Sequence, residues 1–355
     1  MSQERAQATA MKISIVLLDI TQKGGGERVA ANLANLFATR HEVQIISYHK
    51  SQDSLPYPLD SRVKLHFLSH STQKHKSPII RLFLKHIYRY FLTLKARKIF
   101  KNDEIILAND RALAFFGRLQ GKRYIRLWHI SPKKKNLRFF DELVLLSKAQ
   151  LPHWQSLHPS ISIIPNFLPA LPARTTEHAQ KQIICAGRFS KEKGFLRLID
   201  IFAMIVPRFP QWRLLLVGEG EEKSAMQERI HAHSLQNQIL IKPFNPNINE
   251  EFLQCSIYAM ASTHEGFPMV LVESAACGLA SVAFDIATGP SDIIIDKHTG
   301  FLIPDGDHRG FANALSTLMQ EESLRQTMGQ NARNHVAKEF ASQKILALWE
   351  ELFTK

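Results

Sequence analysis

The sequence of 355 residues has little cysteine and no long apolar run. Its three cysteines, Cys185, Cys255 and Cys277, lie in apolar surroundings without C-x-x-C spacing, which favours core positions over a disulfide framework or a zinc site. Because no window reaches eighteen apolar residues, no transmembrane helix is expected. Residues 1–10 are polar, so we expect a disordered segment there and no signal peptide, with either Met1 or Met11 as the start. These absences are typical of a cytoplasmic protein.

Acidic residues are absent from residues 61–102. Residues 1–172 contain 27 Lys and Arg against 11 Asp and Glu, a net charge of +16, whereas residues 173–355 contain 18 against 21, a net charge of −3. Within residues 74–101, basic side chains alternate with Ile, Leu, Phe and Tyr, a composition that attracts anionic lipid headgroups by about 1 kcal/mol per cation. A helix with a solvated lysine face is the alternative. Nucleic acid is disfavoured, since no nucleic-acid-binding motif accompanies the charge.

Apolar runs of strand length alternate with amphipathic stretches, which is typical of a parallel sheet covered by helices. Pro165, Pro169 and Pro172 interrupt this pattern and mark a linker, after which it restarts. The expected strands are residues 13–18, 43–47, 105–108, 124–128, 143–146, 183–187, 213–217, 239–241, 257–261, 280–284 and 300–303. The expected helices are residues 27–40, 192–206, 222–233 and 268–277, with a helical tail over 310–352. The sequence thus predicts an α/β fold of two doubly wound domains with a ligand cleft between them.

The first glycine-rich loop, D-I-T-Q-K-G-G-G-E-R, follows a strand and opens a helix. Its amides would form an anion site at the helix N-terminus, although a simple tight turn explains the loop equally well. A dinucleotide fingerprint is excluded because Val29 occupies the place of the third glycine. The second strand also ends in Ser47-Tyr48-His49 without an acid for a ribose, so a dehydrogenase is disfavoured.

The segment A-G-R-F-S-K-E-K-G-F places Arg188 and Lys193 at a second junction of strand and helix. A planar guanidinium and a compact ammonium five residues apart suit a diphosphate. A solvated cluster of charges is the alternative.

The segment S-T-H-E-G-F-P-M-V-L-V-E-S-A-A-C-G contains two carboxylates, Glu265 and Glu273. Pro268 suits the first turn of a helix and Gly278 its end, and the helix between them is apolar nearly all round. Glu273 should therefore be buried, where a carboxylate needs a partner. That partner is either a structural group such as a core arginine or a polar ligand such as a sugar hydroxyl. Glu265, at the end of the preceding strand, would face the same cleft.

Four motifs follow one another along the second half of the chain: G-R-F-x-x-E-K-G, L-L-L-V-G-E-G, E-G-F-P-M-V-L-V-E with its E-x₇-E spacing, and G-P-S-D-I-I-I-D-K-H-T-G-F-L-I. In this combination the chain resembles the retaining family-4 glycosyltransferases (glycosyl transferases group 1), of the type that builds bacterial surface glycans. The resemblance is strong over residues 183–340 and looser over 11–170. It implies the GT-B fold, in which two Rossmann-like domains face each other across a cleft.

The resemblance also implies roles for individual residues. Glu273 would hold the ribose of a nucleotide sugar, and Glu265 would lie beside the donor sugar. Arg188 and Lys193 would bind the diphosphate and stabilise its departure. His129, in R-L-W-H-I-S-P, matches the histidine that reaches the donor sugar across the cleft, although an isolated histidine is more often structural. The expected donor contacts otherwise come from glycines and the start of the helix: Gly25, Gly26, Gly218, Gly266, Phe267, Pro268, Met269 and Val270.

The implied reaction needs neither a metal nor a cofactor, since the nucleotide sugar is a substrate. The string Asp305-Gly306-Asp307 spells D-x-D, a metal-binding motif of the other major glycosyltransferase fold, but its position downstream of the nucleotide motifs favours a turn. The segment K-P-F-N-P-N departs from the Gly-containing loop of the family, so we assign no base contact to Pro243 or Phe244.

We therefore expect an acceptor domain over residues 1–168, a nucleotide-sugar domain over 169–337, and a helix over 338–355 that returns to the first domain through Trp349 and Leu352. The expected activity is transfer of a hexose or N-acetylhexosamine, most simply from a UDP-sugar, to a lipopolysaccharide core or lipid-linked glycan. It would take place at the inner face of the cytoplasmic membrane, to which the basic half attaches. Acceptor choice would depend on loops that include Asn109, Asp110 and residues 133–135. The rival functions are a GT-B sugar-nucleotide epimerase and a non-catalytic protein that binds nucleotide sugars or anionic lipids.

Overall fold

The computed structural model describes residues 10–70, 87–110, 113, 118–129 and 137–355. The basic segment 74–101 is thus described from residue 87 onward. The lysines at 133–135 lie outside the described residues. The chain divides into two compact units. Unit 1 takes the chain up to Leu146 together with Leu151–Ile164 and Leu346–Lys355, and unit 2 takes Ser147–Gln150 and Pro165–Ile345.

Unit 1 is built on a seven-stranded parallel sheet in the order β3-β2-β1-β4-β5-β6-β7. The strands are β1 (Lys12–Leu17), β2 (Glu42–Ser47), β3 (Lys64–Phe67), β4 (Ile105–Ala108), β5 (Arg123–Trp128), β6 (Glu142–Leu145) and β7 (Ile161–Ile163). The helices in the described part of this unit are α1 (Gly25–Phe37), α2 (Arg89–Ile99) and the single turn α3 (Leu151–Trp154). Apart from the exposed Lys12, the central strands β1 and β4 are buried on both faces, which explains why their sequences are mostly apolar.

The end of the chain completes the core of unit 1. Trp349 is fully buried, and its ring packs edge to face on Phe37 of α1 with centroids 5.5 Å apart. The Arg123 guanidinium donates to the backbone carbonyl of Leu352. An ion pair of 2.9 Å between Arg40 and Glu350 also joins this last helix to unit 1.

Unit 2 contains a six-stranded parallel sheet in the order β10-β9-β8-β11-β12-β13. The strands are β8 (Gln182–Ala186), β9 (Arg213–Val217), β10 (Ile239–Lys242), β11 (Ile257–Met260), β12 (Ala280–Asp285) and β13 (Gly300–Pro304). The helices are α4 (Phe195–Ile205), α5 (Lys223–Ala232), α6 (Ile248–Leu253), α7 (Met269–Ala276), α8 (Pro290–Ile293), α9 (His308–Gln320), α10 (Glu322–Glu339) and α11 (Ser342–Thr354), the last of which ends in unit 1. The expected α/β architecture of two doubly wound sheets is confirmed.

One expected helix is interrupted. Its segment forms a 3₁₀ turn, Lys191–Lys193, and then α4, because Gly194 between them has a φ of +66°. The expected helical tail is confirmed, and it consists of α9, α10 and α11, since Glu321 adopts an extended conformation and the helix α10 ends at Glu339. In contrast, α7 begins and ends within one residue of its expected bounds. Among the described residues, no helix is long and apolar enough to cross a membrane.

Candidate functional site

The predicted residues of unit 2 meet where the strand order of its sheet reverses. Strand β8 lies between β9 and β11, so the chain leaves its carboxyl end in one direction and that of β11 in the other. In open parallel sheets this point forms a crevice for ligands. Arg188 and Lys193 follow β8, and Glu265 follows β11.

Lys193 and Glu265 form an ion pair at this edge. The Lys193 Nζ lies 2.7 Å and 2.8 Å from the two carboxylate oxygens of Glu265, and the Ser262 hydroxyl donates to Glu265 Oε1 at 2.7 Å. The Glu265 side chain is 8% exposed and that of Lys193 is 25% exposed. The carboxylate is thus held in a fixed orientation by two donors, while part of the ammonium faces solvent.

Close packing around Gly194 brings these two loops together. An added Cβ at Gly194 would collide with the backbone carbonyl of Ala261, so only glycine permits this approach. The amide of Thr263 donates to the carbonyl of Glu192 at 2.8 Å, and the Arg197 guanidinium donates to the carbonyls of Ala261 and Ser262. The loop after β11 is therefore clamped to the turn that contains Lys193.

Arg188 lies at the start of the same loop and is exposed. Gly187, which precedes it, packs next to the Lys193 side chain, with 3.9 Å from a built Cβ to Lys193 Cδ. At the end of β9, Gly218 donates its amide to the carbonyl of Lys242 at 3.0 Å, and a Cβ there would collide with the carbonyl of Gly187. The glycine lets the loops after β8 and β9 approach closely.

Glu273 lies in α7 and is 4% exposed, so its expected burial is confirmed. The Glu273 carboxylate is one of the charges that raise the pKa of the buried Tyr258 phenol in β11. Burial, followed by the charges of nearby groups that include Glu265 and Glu273, raises the pKa of Tyr258 well above its ordinary value. The pKa of this one side chain of β11 is thus raised by two carboxylates, Glu265 on the loop after the strand and Glu273 on the helix that follows.

The start of α7 presents its first backbone amides at the same edge. Pro268 is in an extended conformation before the helix, and the first amides of a helix have no acceptor within it. Met269 and Val270 are half-buried there, and Phe267 packs edge to face on Phe340 at 5.4 Å. Gly289 fits against Pro268, where a Cβ would lie 2.7 Å from the proline Cδ.

Unit 1 holds a separate polar cluster at the carboxyl edge of its own sheet. Helix α1 begins at Gly25, Asn109 follows β4, and His129 follows β5. The Asn109 Nδ2 donates to the Gly26 carbonyl at 2.9 Å, and Asn109 Oδ1 lies 3.1 Å from His129 Nε2. Burial, with a smaller effect of the Arg126 charge, lowers the pKa of His129 to about 4. The imidazole is therefore neutral at physiological pH.

The D-x-D string has structural contacts. Asp305 pairs with Arg197 at 2.7 Å, and Asp307 accepts the Gly310 amide at 2.8 Å as the N-cap of α9. Gly306 between them has a φ of +86°, as a turn requires. Across the described residues, no group of three His, Cys, Asp or Glu side chains could hold a metal ion.

The sequence interpretation missed Ser262 as a partner of Glu265 and placed Asn109 only in an acceptor loop. Ser262 could have been found from its place two residues after β11 and three residues before Glu265. The contact of Asn109 with His129 joins the ends of neighbouring parallel strands, and only the strand order identifies these as neighbours.

The family described as "Glycosyl transferases group 1" matches residues 171–335, the span that contains every predicted site residue of unit 2. Residues 171–335 of this chain belong to the group 1 glycosyl transferases. Several relatives match almost the whole chain. The amylovoran biosynthesis glycosyltransferase AmsD of Erwinia amylovora is 26% identical over 96% of this chain and 99% of its own length.

Two further relatives also match most of this chain. The N-acetylgalactosamine-N,N'-diacetylbacillosaminyl-diphospho-undecaprenol 4-alpha-N-acetylgalactosaminyltransferase of Campylobacter jejuni is 26% identical over 91% of this chain and 94% of its own. The exopolysaccharide phosphotransferase SCO2592 of Streptomyces coelicolor is 27% identical over 97% of this chain, but the chain spans only 41% of its length.

The chain also resembles solved structures. The S. aureus TarM G117R mutant, in complex with fondaparinux, alpha-GlcNAc-glycerol and UDP, superposes with a TM-score of 0.82 at 15% identity, over 97% of this chain and all of that one. At this identity the likeness establishes the fold, which is GT-B.

Proposed function

We propose that this glycosyltransferase transfers a hexose or N-acetylhexosamine from a UDP-sugar to a glycan acceptor in bacterial polysaccharide biosynthesis, with retention at the anomeric carbon and without a metal. The observation that supports this most directly is the contact of Lys193 with Glu265 next to Arg188, at the point where the strand order of unit 2 reverses.

Departure of a nucleoside diphosphate needs fixed positive charge. As the bond from the anomeric carbon to the phosphate oxygen breaks, negative charge develops on the diphosphate. Lys193, held in place by Glu265, and Arg188, exposed at the start of the loop, stabilise that charge, and the amides at the start of α7 donate to the phosphate oxygens. Because Lys193 and the amides of α7 are already oriented, they need little reorganisation during the reaction.

The carboxylates of unit 2 bind hydroxyl groups. Among the residues that the structure describes, Glu265 Oε2 accepts from Lys193 only, which leaves it lone pairs for a hydroxyl of the donor sugar. Glu273, buried at 4% exposure, takes the ribose hydroxyls. In unit 1, the amides at the start of α1, at Gly25 and Gly26, are donors suited to an anion, and the neutral His129 is a hydrogen-bonding group suited to a sugar hydroxyl.

Two of the similar proteins support the choice of UDP and of a lipid-linked acceptor. UDP is bound in the TarM structure, and the C. jejuni relative acts on a diphospho-undecaprenol glycan. Such acceptors are anchored in a membrane, so we place the protein at the cytoplasmic face of the bacterial membrane.

A surface of α2, which we call the α2 surface, supports this attachment to the membrane. Ile87, two residues before α2, is 52% exposed and Phe91 is 53% exposed, and Lys95 and Lys98 are exposed further along the same helix. These positions follow helical spacing on one side of α2. Exposed apolar side chains next to lysines, in a segment without acids, fit an anionic lipid surface.

The test is release of UDP from a panel of UDP-, GDP- and ADP-sugars, with EDTA and with a crude membrane-glycan extract, for the wild type and Glu273→Gln. Glu228→Gln, an exposed glutamate in α5, is the matched control. We expect one nucleotide sugar to be consumed by the wild type and the control, EDTA to have no effect, and Glu273→Gln to raise the KM for the donor at least tenfold. The coupling constant of the anomeric proton in the product, compared with that in the donor, reports retention.

Three outcomes contradict the proposal. Conversion of the UDP-sugar to an isomer without acceptor indicates an epimerase. UDP binding in calorimetry without turnover indicates a non-catalytic binding protein. Neither binding nor turnover, with vesicle binding retained, indicates a protein of the lipid surface.

A further inference from the structure

Arg197 of α4 packs against the loop that follows β11. Its guanidinium donates from Nε to the carbonyl of Ala261 and from Nη2 to that of Ser262. The third nitrogen, Nη1, lies 2.7 Å from Asp305 Oδ1, and the guanidinium carbon lies 4.0 Å from the centre of the Phe284 ring. All three nitrogens and one face of this cation are thus in contact with protein groups.

These contacts suit arginine and no other side chain. Strand β11 ends at Met260, and the next two residues, Ala261 and Ser262, are buried. Buried carbonyls beyond the end of a strand need donors. The planar fork of arginine can reach two carbonyls while its face rests on an aromatic ring, whereas a lysine ammonium is a single point of charge. Arg197 therefore fixes the backbone at the start of the loop.

The loop is also held at its other end. The Thr288 hydroxyl donates to the backbone carbonyl of Glu265. Between the two ends, Ser262 Oγ donates to Glu265 Oε1 at 2.7 Å, and Lys193 Nζ contacts both oxygens of that carboxylate. Because Arg197 holds the carbonyl of Ser262, a shift of this serine after loss of Arg197 would move the carboxylate and the ammonium that it orients.

We propose that Arg197 is a positioning residue for the transfer reaction, which holds the loop after β11 so that Glu265 keeps Lys193 directed at the departing diphosphate. This inference rests on the proposed function, in which Lys193 stabilises the charge of that group. Arg197 acts through other side chains rather than on the substrate. Its loss should affect kcat more than the KM for the donor, which depends on Glu273 and the amides of α7.

Asp305 contributes less to this arrangement. Its side chain is 46% exposed, whereas that of Arg197 is 15% exposed. An ion pair with an exposed partner adds little to stability, and Arg197 keeps both carbonyls and the Phe284 ring without it. Asp305→Asn should therefore leave kcat within about twofold of the wild-type value.

Arg325 provides a matched control in the same unit. Its guanidinium donates to the carbonyls of Leu318 and His178. The guanidinium carbon lies 5.2 Å from the centre of the Trp212 ring, and Glu322 pairs with it at 3.5 Å. His178 and Trp212 precede β8 and β9, so Arg325 lies at the amino ends of the strands, at the edge opposite the site. A purely structural effect of replacing such an arginine should appear in its lysine variant too.

The first experiment measures steady-state rates with the nucleotide sugar that the wild type consumes, at a temperature where melting curves show each variant to be folded. We expect Arg197→Lys to lower kcat by about tenfold to a hundredfold and to change the donor KM by less than about threefold. Arg197→Gln, with a shorter and uncharged side chain, is a second variant with the same expected loss. Arg325→Lys should leave kcat unchanged. A wild-type kcat in both Arg197 variants, or an equal loss in Arg325→Lys, would overturn the proposal.

A double variant tests whether Arg197 acts through Lys193. In Lys193→Met the ammonium to be oriented is absent, so the addition of Arg197→Lys should lower kcat further by less than about twofold. Independent effects of the two residues would multiply instead. A double variant whose loss equals the product of the two single losses would refute the route through Lys193.

Hydrogen exchange measures the order of the loop without any substrate. The Thr263 amide donates to the carbonyl of Glu192 at 2.8 Å, and it should exchange faster in Arg197→Lys than in the wild type or in Arg325→Lys. Unchanged exchange at Thr263 would show that Arg197 does not hold the loop. Faster exchange, with no turnover of any nucleotide sugar by the wild type, would contradict the proposed function and leave the contact of Arg197 with the loop standing.

Discussion

Lys193 donates to both carboxylate oxygens of Glu265, at 2.7 and 2.8 Å, across two loops that follow different strands of one sheet. Each charge limits the cost of burying the other, and the pair also fixes the direction of the ammonium. A cation that is oriented before the substrate binds is more effective against charge that develops in a transition state than one that must first be ordered. The ion pair is thus both a structural contact and a part of the proposed reaction.

Removal of the Lys193 charge should separate these two roles. We expect Lys193→Met to lower kcat by about 10²–10³, the usual effect of losing one stabilising group, and to destabilise the fold by roughly 1–3 kcal/mol because Glu265 loses its charged donor. Lys191→Met, in the same 3₁₀ turn but exposed, is the control. Adding Glu265→Gln to Lys193→Met should recover stability without recovering rate. Equal losses of rate in the Lys191 and Lys193 variants would contradict this account.

Gly194→Ala tests the close approach of the two loops. Both Gly194 and Gly306 have a positive φ, at +66° and +86°, but only at Gly194 would a Cβ collide with the backbone. Gly306→Ala should therefore cost only the conformational penalty, about 1–2 kcal/mol. Gly194→Ala adds the collision with Ala261, and the resulting shift of the loop should lower kcat as well. Urea unfolding and steady-state rates of both variants provide the comparison, and equal destabilisation would argue against the steric effect.

The D-x-D string should be dispensable for turnover. Asp307 caps α9, so Asp307→Ala should lower the free energy of unfolding by about 1 kcal/mol. We expect kcat of this variant, measured at a temperature where it is folded, to equal the wild-type value with or without EDTA. If EDTA lowered the rate, and added Mn²⁺ restored the rate of the wild type but not that of the variant, the result would mean that the string binds a metal.

The α2 surface should give the protein affinity for anionic membranes. Phe91→Ser removes one exposed ring, and we expect roughly tenfold weaker binding to vesicles of phosphatidylglycerol and phosphatidylcholine, since a buried aromatic side chain contributes about 1.5–3 kcal/mol. Met204→Ser is the matched control, because Met204 is similarly exposed in unit 2. Sedimentation with vesicles measures both. Binding that persists on pure phosphatidylcholine or in high salt would contradict the electrostatic part.

Acid should destabilise the protein below neutral pH. Burial lowers the pKa of His41 and His178 in the folded chain. The unfolded chain therefore takes up protons at a higher pH than the folded one, so the free energy of unfolding should fall as the pH decreases from 7 through the ordinary histidine pKa. The melting temperature should follow, with a smaller pH slope for His178→Asn, whose asparagine tolerates the positive φ of this position. An unchanged slope would show that His178 does not contribute.

The sequence was most informative where pattern and structure have the same cause. Apolar runs identified the central strands, and Pro268 with Gly278 bounded α7 to within one residue. Strands β3 and β7 were missed because they are short, half-buried edge strands that lack a continuous apolar run. The break at Gly194 follows from the nearby carbonyl of Ala261, 67 residues further along the chain, and no local pattern reports that neighbour.

The candidate site was predictable to a similar degree. Local motifs identified Lys193, Glu265 and Glu273 as side chains of one sheet edge, but the bidentate pairing of Lys193 with Glu265 depends on the order of the strands. The same holds for Asn109 and His129, which are brought together by the pairing of β4 with β5.

The path of α11 bears on how this chain is made. Residues 346–355 supply Trp349 to the core of unit 1, although all of Pro165–Ile345 is synthesised before them. At ordinary rates of translation this interval is on the order of ten to forty seconds. During that time Phe37 lacks its aromatic partner, so the sheet formed first is completed last. Nascent unit 1 should therefore expose an apolar surface that chaperones can bind until the ribosome has released the final helix.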